Sequence, residues 1–145
     1  MPVNDRQLLT TVSAAQLVSS VLGMALALRR RYSFDVSFMH GHPNNVARES
    51  IFQGTALSAP VTTLVAQAIA TAVLSRRPSP IALRAIGVIG AFDVPGYLAE
   101  RLVRRRLTPA GWDPLESPLI LTEISLAAAM PLLARRLRGQ TEAES

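Results

Sequence analysis

Long apolar runs, broken by short basic clusters, set the pattern of this chain. Residues 8–28 and 54–74 each run 21 positions without a charge. Residues 81–103 and 118–134 follow as apolar stretches that carry a few ionisable groups. At about 1.5 Å of rise per residue, some 20 residues of helix cross the hydrocarbon core of a bilayer. The clusters Arg29-Arg30-Arg31, Arg76-Arg77, Arg104-Arg105-Arg106 and Arg135-Arg136 fall at the ends of these runs. Multi-span membrane proteins punctuate their sequences in this way. The pattern predicts an all-α fold, a four-helix transmembrane bundle in one domain over residues 1–138 with a polar tail over 139–145, and a charged, disordered end from Arg135 to Ser145.

Details within the runs refine the expectation. Residues 8–28 exceed the apolar core of a signal peptide, and their leader sets Asp5 against Arg6 without a positive excess, so the run reads as a retained span. Ala15, Ser19, Gly23 and Ala27 recur every fourth residue, a stripe of small side chains that lets another helix approach closely. Asn44 or Asn45 can cap a helix starting at Val46, and Pro60 should kink that helix as it enters the second run. Ala59, Thr63, Gln67, Thr71 and Ser75 form a small-polar stripe on it. Pro78 and Pro80 end the second helix and start the third. Pro95, beside Gly96, is expected to kink and divide the third. Trp112 reads as an interfacial anchor.

Composition agrees with the pattern. Charged residues make up 17% of the chain, against about 25% in soluble domains, and mean hydropathy is positive. The net charge of +5 comes from arginine alone, with no lysine. The arginines sit at the ends of apolar runs and make no continuous basic face, so the expected partners are the bilayer and its anionic headgroups, not nucleic acid. A second copy of the chain or another membrane protein is expected on the small-residue seams. The expected location is an integral position in the cell membrane. With four spans, six arginines fall on one side and eight on the other, Arg84 aside. That balance orients nothing and suits insertion in both directions. Absent cysteine excludes disulfides, thiolate metal sites and cysteine nucleophiles.

Candidate chemistry concentrates in the third run. Asp93 falls near mid-span, where an unpaired carboxylate costs several kcal/mol. Tyr97 and Glu100 follow at helical spacing on the same face. Glu123 is a second carboxyl one to two turns into the fourth run, and a cavity shared with Asp93 would suit proton coupling, binding of a hydrophobic cation, or acid–base work. Gln67 and Arg84 are possible partners of Asp93, although Arg84 by default snorkels to the nearer interface. Glu100 and Arg104 read as an interfacial i, i+4 pair. His40 and His42 are weak metal candidates, since the rest of a ligand set is missing. No nucleophile elbow, P-loop or dinucleotide fingerprint occurs, and no cofactor is expected. The functional readings are, in order, a non-enzymatic accessory or assembly module, a proton-linked transporter or hydrophobic-ligand pocket, and a lipid-modifying enzyme.

Overall fold

The computed structural model describes residues 3–32, 35–36, 39–40, 44, 48, 51, 54–55 and 57–143. The fold is helical. α1 spans Val3–Arg30, α2 Val61–Arg76, α3 Pro80–Ala99, α4 Arg101–Arg106 and α5 Glu116–Ala143, with a 3-10 turn at Pro109–Gly111. A two-residue antiparallel ladder pairs β1, Asp35–Val36, with β2, Met39–His40. α1, α3 and α5 are long and apolar enough to cross a membrane, whereas α2, at 16 residues, is shorter.

The long helices bury one stripe each, and all four stripes have the same spacing. α1 buries Leu9, Ser13, Gln16, Ser20, Gly23 and Ala27. α5 buries Ile120, Glu123, Ala127, Met130, Ala134 and Leu137. α3 buries Leu83, Ile86, Gly90, Asp93 and Tyr97, and α2 buries Leu64, Gln67, Thr71 and Leu74. Steps of three and four alternate, giving the 3.5-residue average of left-handed helix packing. This corrects the every-fourth-residue stripes. Successive steps of four drift about 40° around a helix of 3.6 residues per turn, so Ala15 and Ser75 end up exposed while Ser13 and Leu74 turn inward.

Neighbours run antiparallel. Asp5 Oδ2 accepts from Gln140 Nε2 at 2.9 Å and meets Arg136 at 3.6 Å, while Arg30 at the far end of α1 pairs with Glu116 at the start of α5. Ser13 meets Thr71 across α1 and α2. The tightest approach joins α3 to α5. A Cβ on Gly90 would stand 2.5 Å from the Ala127 carbonyl oxygen and 2.9 Å from Pro131 Cδ, and one on Gly87 would stand 2.9 Å from Ala134 Cβ. Those glycines let the backbones touch.

Several boundaries differ from the sequence expectation. α2 starts after Pro60, not before it: the proline occupies the N-cap position, where its missing N–H costs nothing, and so produces a start instead of a kink. The described residues of the 54–60 segment form a largely buried turn in which Thr55 N donates to Ser58 O and Ser58 N to Thr55 O, entered through Gly54 at φ +83°. The capped lead-in at Asn45–Val46 lies outside the described residues. α3 stays helical through Pro95, and the run breaks at Glu100, whose extended backbone separates α3 from α4. Arg104 does not simply pair with Glu100; its Nη1 donates to the carbonyls of Leu98 and Ala99 that the break leaves without helical partners. The tail expected to be disordered continues α5 as helix to Ala143, because Gln140 and Arg136 are anchored on Asp5.

Entry into α5 is set by Asp113. Its Oδ1 accepts from Leu115 N at 2.9 Å and Glu116 N at 2.8 Å, which satisfies donors that the first turn leaves open. Those two N–H groups hold the Asp113 carboxyl below the usual aspartate range. A depressed carboxyl contributes stability above its unfolded value, and that stability is lost as pH falls through the folded one. Melting temperature should therefore fall on acidification below about pH 4. Asp113→Asn, which can still cap, should remove that share of the acid sensitivity, whereas Asp113→Ala should lower the melting temperature at neutral pH. An Asp113→Asn acid profile identical to wild type would show that the cap does not govern it.

Candidate functional site

A polar layer lies at mid-height between two apolar clusters. Towards the α1 N-terminus, an apolar cluster contains Leu9, Leu74, Leu83, Ile86, Met130 and Leu137. At the other end, Ala27, Leu57, Tyr97, Val103 and Ile120 form a second cluster. Between them lie buried Ser13, Gln16, Ser20, Gln67, Thr71, Asp93 and Glu123. The outward faces carry the reverse: Val18, Val21, Leu22, Val65, Ile69, Val88 and Phe92 are exposed. Apolar exterior with a hydrogen-bonded interior is the arrangement that a hydrocarbon solvent favours.

Hydrogen bonds link much of this layer into a column. Thr71 Oγ1 donates to Gln67 O at 2.7 Å and accepts from Ser13 Oγ at 2.7 Å. Gln67 Nε2 donates to Gln16 Oε1 at 2.7 Å and lies 3.2 Å from both oxygens of Ser13. Gln16 Nε2 donates to Ser20 Oγ at 2.9 Å, and Ser20 Oγ meets Tyr97 Oη at 3.0 Å. The column thus runs from α2 through α1 to α3. Each bond is worth only ~0.6–2 kcal/mol in a membrane, so the set specifies helix register more than it adds stability.

The carboxyls sit where the column ends. Asp93 is 8% exposed and Glu123 fully buried. Among the described residues, Asp93 Oδ2 and both Glu123 oxygens have no hydrogen-bond partner. The Tyr97 hydroxyl faces the Glu123 carboxyl without a well-formed hydrogen bond, and Asp93 lies within electrostatic reach of it. The α3–α5 register set at Gly87 and Gly90 carries Asp93 to the level of Glu123. Glu123 Oε1 also lies against Gly23 of α1, 2.9 Å from where a Cβ would stand. Any larger residue at Gly23 would displace the carboxyl or the 54–60 turn.

A cleft of about 540 Å³ opens on one side, between the 54–60 turn, the start of α2 and α3. Asp93, Tyr97 and Glu100 line it together with apolar Val88, Ile89 and Phe92. Glu123 does not line it. Gln67, expected as a partner of Asp93, instead bonds to α1. Arg84 is exposed. It precedes Asp93 by nine residues, half a turn out of phase on α3. His40 lies in β2 and His42 outside the described residues; among the described residues no group of three His, Cys, Asp or Glu is placed to hold a metal.

A second charged centre escaped the sequence reading. Glu116 is fully buried at the α5 N-terminus, where it accepts from Arg106 Nε at 2.6 Å and pairs with Arg30. Arg106 Nη1 also donates to Gly111 O, and Ser117 Oγ donates to Arg106 O. The cluster ties α1, α4 and α5 together at one end of the fold. Its only sequence signal was the Asp113-x-x-Glu116 spacing of a helix start; the arginine partners lie 86 and 10 residues away.

Comparison with protein-family models, with curated proteins and with solved structures gives no match. The class defined by fold and composition is therefore a helical protein with three helices suited to spanning a membrane.

Proposed function

We propose that the protein is a four-span membrane module that binds a hydrophobic cation in the lateral cleft, with Asp93 as counter-ion and binding linked to protons. The fourth crossing is α2 with its buried 54–60 lead-in. α1 and α3 run in the same direction, both antiparallel to α5, so α2 must return the chain to the end from which α3 starts. Non-helical backbone at that depth is tolerated because it is enclosed by protein. Any bend at Pro95 lies two residues beyond Asp93, where it would shape the cleft.

One observation carries the reading: a carboxyl more than nine-tenths buried, with an oxygen that accepts no hydrogen bond, lines an otherwise largely apolar cleft. The assembly reading loses ground by comparison. Its seams are consumed internally, since Ser19, Gly23, Ala27, Gln67 and Thr71 are buried within the chain. Exposed Val88 and Phe92 flank the cleft, so a ligand dissolved in the bilayer can reach it sideways.

Radiolabelled tetraphenylphosphonium is a suitable probe for purified protein in mild detergent. A carboxylate attracts the cation and a carboxylic acid does not, so affinity should fall on acidification. Asp93→Asn should weaken binding at least tenfold and flatten the pH dependence. Unchanged, pH-dependent binding by that variant would remove Asp93 from the mechanism.

A further inference from the structure

Two openings lie along the outer seam between α1 and α2. Near the α1 N-terminus, a polar cleft of about 290 Å³ is lined by Arg6, Gln7, Thr10 and Thr11 of α1 and Ser75 of α2. Further along the same helices, Leu17, Val18, Val21, Leu64 and Val65 line an apolar groove of about 500 Å³. Helical phase puts the two in line: Gln7, Thr11, Val18 and Val21 share one face of α1, and Val65, Ala68 and Ser75 share one face of α2. The helices run antiparallel, with Ser13 opposite Thr71 and Gln16 opposite Gln67, so Ser75 stands near the level of Thr10 and Val65 near that of Val18. Between the openings, Ala14 and Ala72 are both exposed and present only methyl groups, which leaves the seam open.

Donors at the polar end are unspent. Thr10 Oγ1 gives its hydrogen to Arg6 O, and Ser75 Oγ gives its own to Ala72 O. Among the described residues, the side chains of Arg6, Gln7 and Thr11 have no hydrogen-bond or ion-pair partner. A guanidinium, an amide N–H and a hydroxyl on one cleft suit a phosphate. Asp5, the carboxyl next to Arg6, is engaged by Gln140 and Arg136 of α5 and is not available to an ammonium headgroup. Exposed Arg76 and Arg77 follow directly after Ser75. The local charge therefore selects a headgroup of net negative charge over a zwitterionic one. Length agrees as well. From Thr11 to Val21 the α1 axis runs about 15 Å at 1.5 Å per residue, the depth of one leaflet in a hydrocarbon core of about 30 Å.

We infer that the α1–α2 seam is a binding site for an anionic phospholipid, its phosphate held by Arg6, Gln7 and Thr11 and one acyl chain laid along the apolar groove. Donors in register with the groove distinguish this seam from the rest of the lipid-facing surface. The groove between α1 and α5, lined by Leu22, Leu26, Leu115 and Leu119, has Arg29 as its one polar lining residue. The seam shares no lining residue with the Asp93 cleft. The site rests on the membrane reading of the fold but not on what that cleft binds.

The test is thermal unfolding of the purified, delipidated full chain in mild detergent, with dioleoylphosphatidylglycerol, dioleoylphosphatidylcholine or inorganic phosphate added. A ligand that binds only the folded state raises the melting temperature with its concentration. Phosphatidylglycerol should raise it by several degrees, and phosphatidylcholine and inorganic phosphate should not. Native mass spectrometry should retain one phosphatidylglycerol per chain. Arg6→Gln should weaken phosphatidylglycerol about tenfold, and so should Ala72→Leu, which fills the exposed seam without touching the donors. Arg29→Gln should keep the full response. Equal shifts with the two lipids, or a phosphatidylglycerol response that survives both Arg6→Gln and Ala72→Leu, would overturn the site. An Arg29→Gln loss as large as that of Arg6→Gln would reduce it to general charge attraction, and a shift with inorganic phosphate equal to that with lipid would make it a soluble-anion site; either result overturns the lipid assignment. Tetraphenylphosphonium binding by Arg6→Gln reads the Asp93 cleft separately, so failure of either proposal leaves the other standing.

Discussion

Replacing Glu116 with alanine is expected to cost about 3 kcal/mol of stability, towards the lower end of the roughly 3–5 kcal/mol seen when one partner of a buried ion pair is removed. The reason is what remains behind. Glu116 is fully buried, and its two oxygens neutralise Arg30 and Arg106. The Arg30 and Arg106 side chains are 37% and 19% exposed, so each can recover some hydration, which keeps the cost from the top of the range. Glu116→Gln should cost less, because an amide oxygen can still accept one arginine N–H. Arg106→Ala should cost less than Glu116→Ala, since Arg30 still pairs with the carboxylate. Reversible unfolding of the purified protein in mixed micelles measures these differences. A Glu116→Ala loss below about 1 kcal/mol, the size of an exposed surface pair, would mean that the cluster does not hold the ends of α1, α4 and α5 together.

The second large effect is expected at Gly90. A methyl group there would stand 2.5 Å from the Ala127 carbonyl oxygen, 2.8 Å from Met130 Cβ and 2.9 Å from Pro131 Cδ. Two of these belong to α5 backbone or to a proline ring, neither of which can rotate away, so α3 and α5 must separate. Overpacking of this kind costs typically 1–3 kcal/mol and occasionally more. Gly90→Ala should fall near the lower figure and Gly90→Val near or above the upper one. Function should fail along with stability, because Asp93 is one turn along α3 and its level against Glu123 depends on this contact. Gly96, with nothing within 4 Å of a Cβ, is the internal control: Gly96→Ala should leave the fold intact. Melting temperatures and tetraphenylphosphonium binding of the three variants test this together. A Gly90→Val protein as stable as Gly96→Ala would contradict the close helix approach.

Sequence and structure divide the information about this protein in a physically regular way. Hydrocarbon-length runs, their basic ends and the start of α3 at Pro80 were legible along the chain, because transfer from water to an apolar solvent depends on local composition alone. Asp93, Tyr97 and Glu100 could be placed on one face of α3 from helical spacing, and the three do line one cleft. The buried stripes were misphased, since an every-fourth-residue reading and the actual three-and-four alternation share Gly23 and Ala27, and only a packed partner separates them.

Contacts far apart in sequence were not legible. Nothing local distinguishes Glu116, one of several loop carboxyls, until Arg30 and Arg106 fold onto it. Pro60 reads as a kink or as a helix start depending on whether the preceding turn finds protein to bury it, and Gly23, Leu57 and the α5 helix settle that. The same holds for Glu123. Composition sets a carboxyl in an apolar run, but Gly23, Leu57, Ser20 and Tyr97 come from three other parts of the chain. Solvent preference is a property of each segment and can be read from sequence; hydrogen bonding between helices and charge pairing are properties of distance between segments and arise only when the helices pack.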